Sequence, residues 1–255
     1  MDKIAKALDK LLTTDPIAGA APAGQAKGGG GKSKTVKLPA KILRDNKVVS
    51  ALPPKYMDRY NMLRTQVLHR TRSQGKNVLM VTSAMPNEGA TLTAINLAIS
   101  MAKDFNQYCL LVDTHLREPV INQYLGFKAD KGLIDYLNSD TPIFDLIVYP
   151  DIKALTILPA GKPTTESTEL LGSPKMLNLV QEMKERYPDR YVIFNCPPLL
   201  SFPDALVFST YVDGVILVVE EGETKMADLN RALHLLGDTN VVGLVLNKVK
   251  EEDQS

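Results

Sequence analysis

From Asn77 onward, continuous apolar runs alternate with stretches of helical periodicity, and this alternation constrains the fold more than any other feature. The runs are Val78–Val81, Tyr108–Val112, Leu155–Leu158, Tyr191–Phe194, Gly214–Val219 and Val241–Leu246. They are apolar without the polar–apolar alternation of a one-sided sheet, as strands covered on both faces must be. Helical stretches fall between them at about 91–104, 118–125, 132–138, 173–186, 203–210 and 225–236. One more, from about Tyr56 to Arg72, precedes the first run and lines up Tyr60, Leu63, Val67 and Leu68. Strand and helix in turn predict an α/β fold with a doubly wound, mostly parallel sheet.

The N-terminal part does not follow that pattern. Residues 1–50 carry ten Lys/Arg against four Asp, a net of +6, which leaves −5 for residues 51–255 of a chain whose total is +1. Ile4, Leu8, Leu11 and Leu12 share one helical stripe, with Lys3, Lys6 and Lys10 off it, which predicts a short amphipathic helix over residues 1–12. Such a helix suits a partner or an anionic membrane surface. Residues 17–40, rich in Ala, Gly and Pro, read as a flexible linker. The expected organisation is a basic tail, 1–50, ahead of one domain, 51–255. Within the tail, Gly31-Lys32-Ser33 imitates the end of a phosphate loop, but the pattern's first glycine would fall at Ala26 and no strand precedes it.

Two cysteines, Cys109 and Cys196, exclude a disulfide framework or zinc cluster and, lying in strand-like runs, predict buried reduced thiols. No apolar run reaches the roughly 18 residues of a membrane span, and the N-terminus lacks the pattern of a signal peptide. The expected location is the cytoplasm.

In a doubly wound sheet, ligands bind beyond the carboxyl ends of the strands. The first such turn reads Val81-Thr82-Ser83-Ala84-Met85-Pro86-Asn87-Glu88-Gly89-Ala90-Thr91, followed by a helix. Strand, tight glycine-containing loop and helix N-terminus together aim backbone N–H groups at a phosphate. Further blocks follow in order. They are Leu110-Leu111-Val112-Asp113-Thr114-His115-Leu116-Arg117-Glu118-Pro119, Leu158-Pro159-Ala160-Gly161, Glu169-Leu170-Leu171-Gly172-Ser173, Val192-Ile193-Phe194-Asn195-Cys196-Pro197-Pro198, Val212-Asp213-Gly214-Val215 and Gly243-Leu244-Val245-Leu246-Asn247.

With Tyr60-Asn61-Met62-Leu63-Arg64-Thr65 ahead of them, these blocks resemble the bacterial tyrosine kinases (BY-kinases) of polysaccharide export, a branch of the P-loop ATPases. The resemblance runs from about Tyr56 to Val249. The partition and cell-division branch fits less well, because Met85 stands where its extra signature lysine belongs. The resemblance implies a P-loop NTPase-like fold. It also implies an ATP/ADP site built from Pro86, Asn87, Glu88, Gly89, Ala90, Thr91 and Leu92 with Asn247, and Mg²⁺ on Thr91 and Asp113.

Three positions depart from the family pattern. Ala90 replaces the lysine that reaches the β- and γ-phosphates. His115 replaces the second aspartate of the acidic motif that begins at Asp113, and Asn195 replaces the Walker B aspartate. Each removes a charge that phosphoryl transfer uses. Nucleotide binding through the backbone cradle is expected to be weak or absent, and Asp113 to be vestigial.

The family's tyrosine-rich tail has no counterpart after Tyr211. The family's Glu-x-x-Arg-x-x-Arg interface motif aligns with Asp58, Asn61 and Arg64, which suggests a surface for self-association or pairing with an active paralogue. The resemblance therefore implies a catalytically impaired cytoplasmic component of an exopolysaccharide system. It would sit peripherally at the inner membrane face and dock on a membrane polysaccharide co-polymerase or adaptor. The competing expectation is an active ATP-dependent tyrosine autokinase of the same system. No nucleic-acid partner is expected, since the basic tail has no interleaved aromatics.

Overall fold

The structure, a computed structural model, describes residues 34–105, 107–186 and 190–250. The expected helix over 1–12 and the loop-like Gly31-Lys32-Ser33 lie outside the described residues.

The six apolar runs become β2 (Val78–Ser83), β3 (Tyr108–Asp113), β5 (Leu155–Leu158), β6 (Arg190–Asn195), β7 (Gly214–Glu220) and β8 (Val241–Asn247). Two three-residue strands, β1 (Lys34–Val36) and β4 (Val148–Pro150), complete an eight-stranded sheet in the order β1-β4-β5-β3-β6-β2-β7-β8. Every pairing is parallel except β4 with β5. All residues of β2 and β6 are buried, which is why their sequences show no two-residue alternation.

Among the described residues the helices are α1 (Ala40–Asp45), α2 (Pro54–Thr71), α3 (Ala90–Ala102), α4 (Ile121–Leu125), α5 (Leu133–Asn138), α6 (Ser167–Leu171), α7 (Pro174–Arg186), α8 (Asp204–Ser209) and α9 (Met226–Leu236). They cover both faces of the sheet and leave two cores. One gathers Leu133, Met176, Leu179, Phe194 and Phe208, the other Leu79, Ile95, Ile99, Ile193 and Val218. Each such fully buried side chain contributes about 1.5–3 kcal/mol by leaving water.

Helix α3 carries no charged residue and is buried along nearly its whole length, because it lies between the sheet and α2. Pro54 starts α2, where the missing N–H costs nothing. Its Tyr60, Leu63, Val67 and Leu68 face the core, as their spacing predicts.

The boundary at residue 51 requires correction. Residues 34–50 are part of the folded body: β1 pairs with β4, and Leu38, Leu43, Val48 and Val49 are buried in the core beside α3. The linker reading failed here because three-residue strands and a six-residue helix are too short to show periodicity. Helix α6 was missed for the same reason.

Cys109 and Cys196 are free and buried, and burial pushes both thiols up from their usual range. No helix among the described residues is long and apolar enough to cross a membrane.

Candidate functional site

The parallel register brings three strand ends together. Val81 in β2 pairs with Asn195 in β6, which pairs with Asp113 in β3. Beyond β2 the chain turns through Met85, Pro86 and Asn87, all exposed, before α3 begins at Ala90. Asn87 and Gly89 have φ of 66° and 94°, so the loop curls with left-handed backbone that turns its N–H groups inward. Gly89 is required for a second reason: a Cβ there would lie 2.0 Å from Asn247 Nδ2.

Two of the expected nucleotide residues, Glu88 and Asn247, also hold the loop in shape. Asn247 donates its side-chain amide to the Glu88 carbonyl at 2.8 Å. Glu88 is 4% exposed, and its carboxylate accepts the Met85 N–H at 2.9 Å and the Thr224 hydroxyl. Thr224 also accepts the Glu220 N–H, which ties the loop to the end of β7. Pro86, Asn87, Gly89, Ala90, Thr91, Leu92 and Asn247 all line an open cleft of about 1430 Å³. Lys47, Tyr56 and Arg59, from residues ahead of β2, line its other side.

Asp113 and Asn195 lie deeper. Asp113 is 1% exposed and Asn195 is fully buried. Asp113 Oδ1 accepts the Asn195 side-chain amide at 2.9 Å and the His115 N–H at 3.2 Å, while Oδ2 accepts the N–H groups of Val120 and Ile121. Burial lifts its carboxyl above the usual range, against the pull of Asn195, Ile121 and His115. His115 reaches the cleft, but its Nδ1 accepts the Glu118 N–H, and its ring meets Phe202 edge-on at 6.5 Å.

A phosphate group fits this site, while the side chains by themselves do not assemble a divalent-cation site. The curled backbone and helix N-terminus are present, and Thr91 lines the cleft. Asp113 has both oxygens committed to N–H donors, and no group of three or more His, Cys, Asp or Glu among the described residues is placed to hold a metal. Asn195 Oδ1 is buried without a hydrogen-bond partner, an acceptor where the family pattern has a charge.

The motif's arginine is structural as well. Arg117 Nε meets Asp204 Oδ2 at 2.9 Å, its Nη2 reaches Thr168, and its guanidinium lies over Phe202. Asp204 opens α8 and is completely buried. This anchor beneath the cleft went unseen in the sequence because Arg117, Thr168 and Asp204 are far apart in the chain.

Of the three expected interface residues, two are turned toward their own fold. Asn61 Oδ1 accepts the Ser100 hydroxyl at 2.9 Å, and Arg64 donates to the Ser100 carbonyl at 2.7 Å. Asp58 is exposed.

A parallel sheet, a phosphate loop running into a buried helix, and paired polar strand ends beside it define a P-loop ATPase-type site. No protein-family model matches the chain. The chain is 28% identical over 207 residues to the tyrosine-protein kinase YwqD of Bacillus subtilis, covering 80% of this chain and 86% of YwqD. It is 32% identical over 176 residues to the succinoglycan biosynthesis transport protein ExoP of Rhizobium meliloti, covering 67% of this chain but 22% of ExoP. Among solved structures, the VpsO kinase domain superposes with a TM-score of 0.66 at 30% identity, over 74% of this chain and 93% of that one. The chain belongs to the bacterial tyrosine kinase (BY-kinase) family.

Proposed function

We propose that this protein is a catalytically silent BY-kinase-like component of an exopolysaccharide biosynthesis and export system. In this reading it acts by docking on a membrane co-polymerase at the inner membrane face and so influences chain length. The likeness to ExoP supports the system. The observation that carries the loss of catalysis is the closed hydrogen-bond set around Asp113. Four donors hold a carboxylate that the reaction needs free for metal or proton, and Ala90 supplies no cation for the transferring phosphoryl group.

Residual ATP or ADP binding through the backbone cradle is compatible with this reading, because that cradle does not depend on side-chain charge. Self-association or pairing with an active paralogue stays part of this reading, with Asn61 and Arg64 also engaged within the chain.

The test is to incubate the purified protein with Mg²⁺-ATP and measure phosphate release and phosphotyrosine. The proposal predicts neither above background. Sustained turnover would restore the autokinase reading.

A further inference from the structure

Charge is segregated more sharply than a division at residue 50 shows. Residues 34–72 hold ten Lys/Arg and two Asp, a net of +8. Residues 1–33 hold five Lys and three Asp, a net of +2, so residues 73–255 carry −9 in a chain of total +1. The basic stretch is mostly folded. Following on from the edge strand β1, α1, the 3-10 turn at Val49–Ala51 and α2 form one layer over a single face of the sheet, where Leu38, Leu43, Val49 and Val67 join one buried cluster.

Burying that side turns the cations outward. Lys37, Lys41, Arg44, Lys47, Lys55 and Arg72 are all exposed, and none takes part in an ion pair among the described residues. In the exposed stripe of α2 that runs from Lys55 through Arg59 to Gln66 stands Met62, which is 67% exposed.

We propose that this layer is a docking surface for a leaflet of acidic phospholipid. Long, flexible, unpaired cations spread over several elements match a broad anionic plane, which asks for charge density rather than fixed geometry. A nucleic-acid strand asks for exposed aromatic faces, and Tyr56 and Tyr60 are both half-buried. Met62 adds an apolar contact at headgroup depth. The −9 remainder of the chain is repelled by the same leaflet, so the two charges together fix one orientation. Lys47, Tyr56 and Arg59 belong to both the layer and the cleft rim, so docking brings the cleft mouth toward the membrane. None of this depends on nucleotide turnover or on a co-polymerase.

Flotation of the full chain with vesicles tests the inference with no partner protein present. Vesicles of phosphatidylcholine alone are compared with vesicles that also contain phosphatidylglycerol. The expected result is binding to the acidic vesicles only, weakened as salt rises. A cation near such a surface contributes about 1 kcal/mol, or about fivefold in affinity. The triple substitution Lys37→Ala, Lys41→Ala, Arg44→Ala therefore weakens binding about a hundredfold. A second set on α2, Lys55→Ala with Arg72→Ala, weakens it about 25-fold. Neutralising Lys3, Lys6 and Lys10 instead leaves both layer effects in place.

Three results overturn the inference. One is no binding to acidic vesicles, and another is binding that only the Lys3, Lys6 and Lys10 substitutions reduce. The third is capture of soluble polyglutamate as tightly as vesicles, which assigns the layer to an acidic protein.

Discussion

Asn195 donates its side-chain amide to Asp113 Oδ1 across 2.9 Å, at the ends of two strands that the sheet holds in register. The amide converts a position where two carboxylates would repel into a closed hydrogen bond. That bond needs neither metal nor lysine to balance it.

Restoring the acid alone is therefore expected to harm the fold. In Asn195→Asp, two carboxyl groups within hydrogen-bond distance cannot both ionise in a buried site, so one is pushed above its ordinary value. An acid whose folded value is raised favours folding below its unfolded value and loses that contribution as pH rises through the folded one. The variant is expected to be about 3 kcal/mol less stable than the parent at pH ~8, with the deficit shrinking by pH ~5. Urea unfolding at the two pH values measures it.

Asp113→Asn breaks the same network from its acceptor side. One carboxylate oxygen becomes an NH₂ facing N–H donors, His115 and Asn195 on one side or Val120 and Ile121 on the other. Leaving those donors without an acceptor is expected to cost about 3 kcal/mol at neutral pH, read from denaturant midpoints.

The loop's shape rests on Gly89 and its neighbour Asn247. Gly89→Ala adds both a left-handed non-glycine residue and a clash with the Asn247 side chain, for a loss of about 2–3 kcal/mol. Asn247→Ala in the same chain removes the clash but not the strain. A double-mutant cycle is expected to recover part of the loss, and strict additivity would show that the two residues do not meet.

Arg117 and Asp204 make an acid-sensitive anchor. Burial raises the Asp204 carboxyl, but Arg117 and Thr168 outweigh it and hold it below the usual range. A lowered acid contributes stability above its unfolded value and loses it as pH falls through the folded one. Arg117→Met leaves the buried carboxylate without its partner. The loss is expected to be about 2 kcal/mol at pH ~7, discounted because the arginine is partly exposed, and to shrink on acidification below pH ~4. Thermal melts across that range check the sign.

The central strands and helices were legible because each carries its own period or unbroken apolar run, as in Val78–Ser83 and Ala90–Ala102. The layer from Lys34 to Ala51 was not, since its elements are held by partners distant in sequence, such as Val148–Pro150. The three charge losses at Ala90, His115 and Asn195 were readable as substitutions. What they left behind was not. The register of β3 with β6 joins Asn195 to Asp113, and packing of α2 on α3 turns Asn61 and Arg64 to Ser100.

The central claim is that these losses silence phosphoryl transfer. Its most direct test compares ATP hydrolysis by the parent chain with that of the triple variant Ala90→Lys, His115→Asp, Asn195→Asp, under the same Mg²⁺ and nucleotide concentrations. The account predicts no turnover above background in the parent and a gain of at least about a hundredfold in the variant, since each restored charge acts on the transition state. Parent turnover equal to that of the triple variant would contradict it.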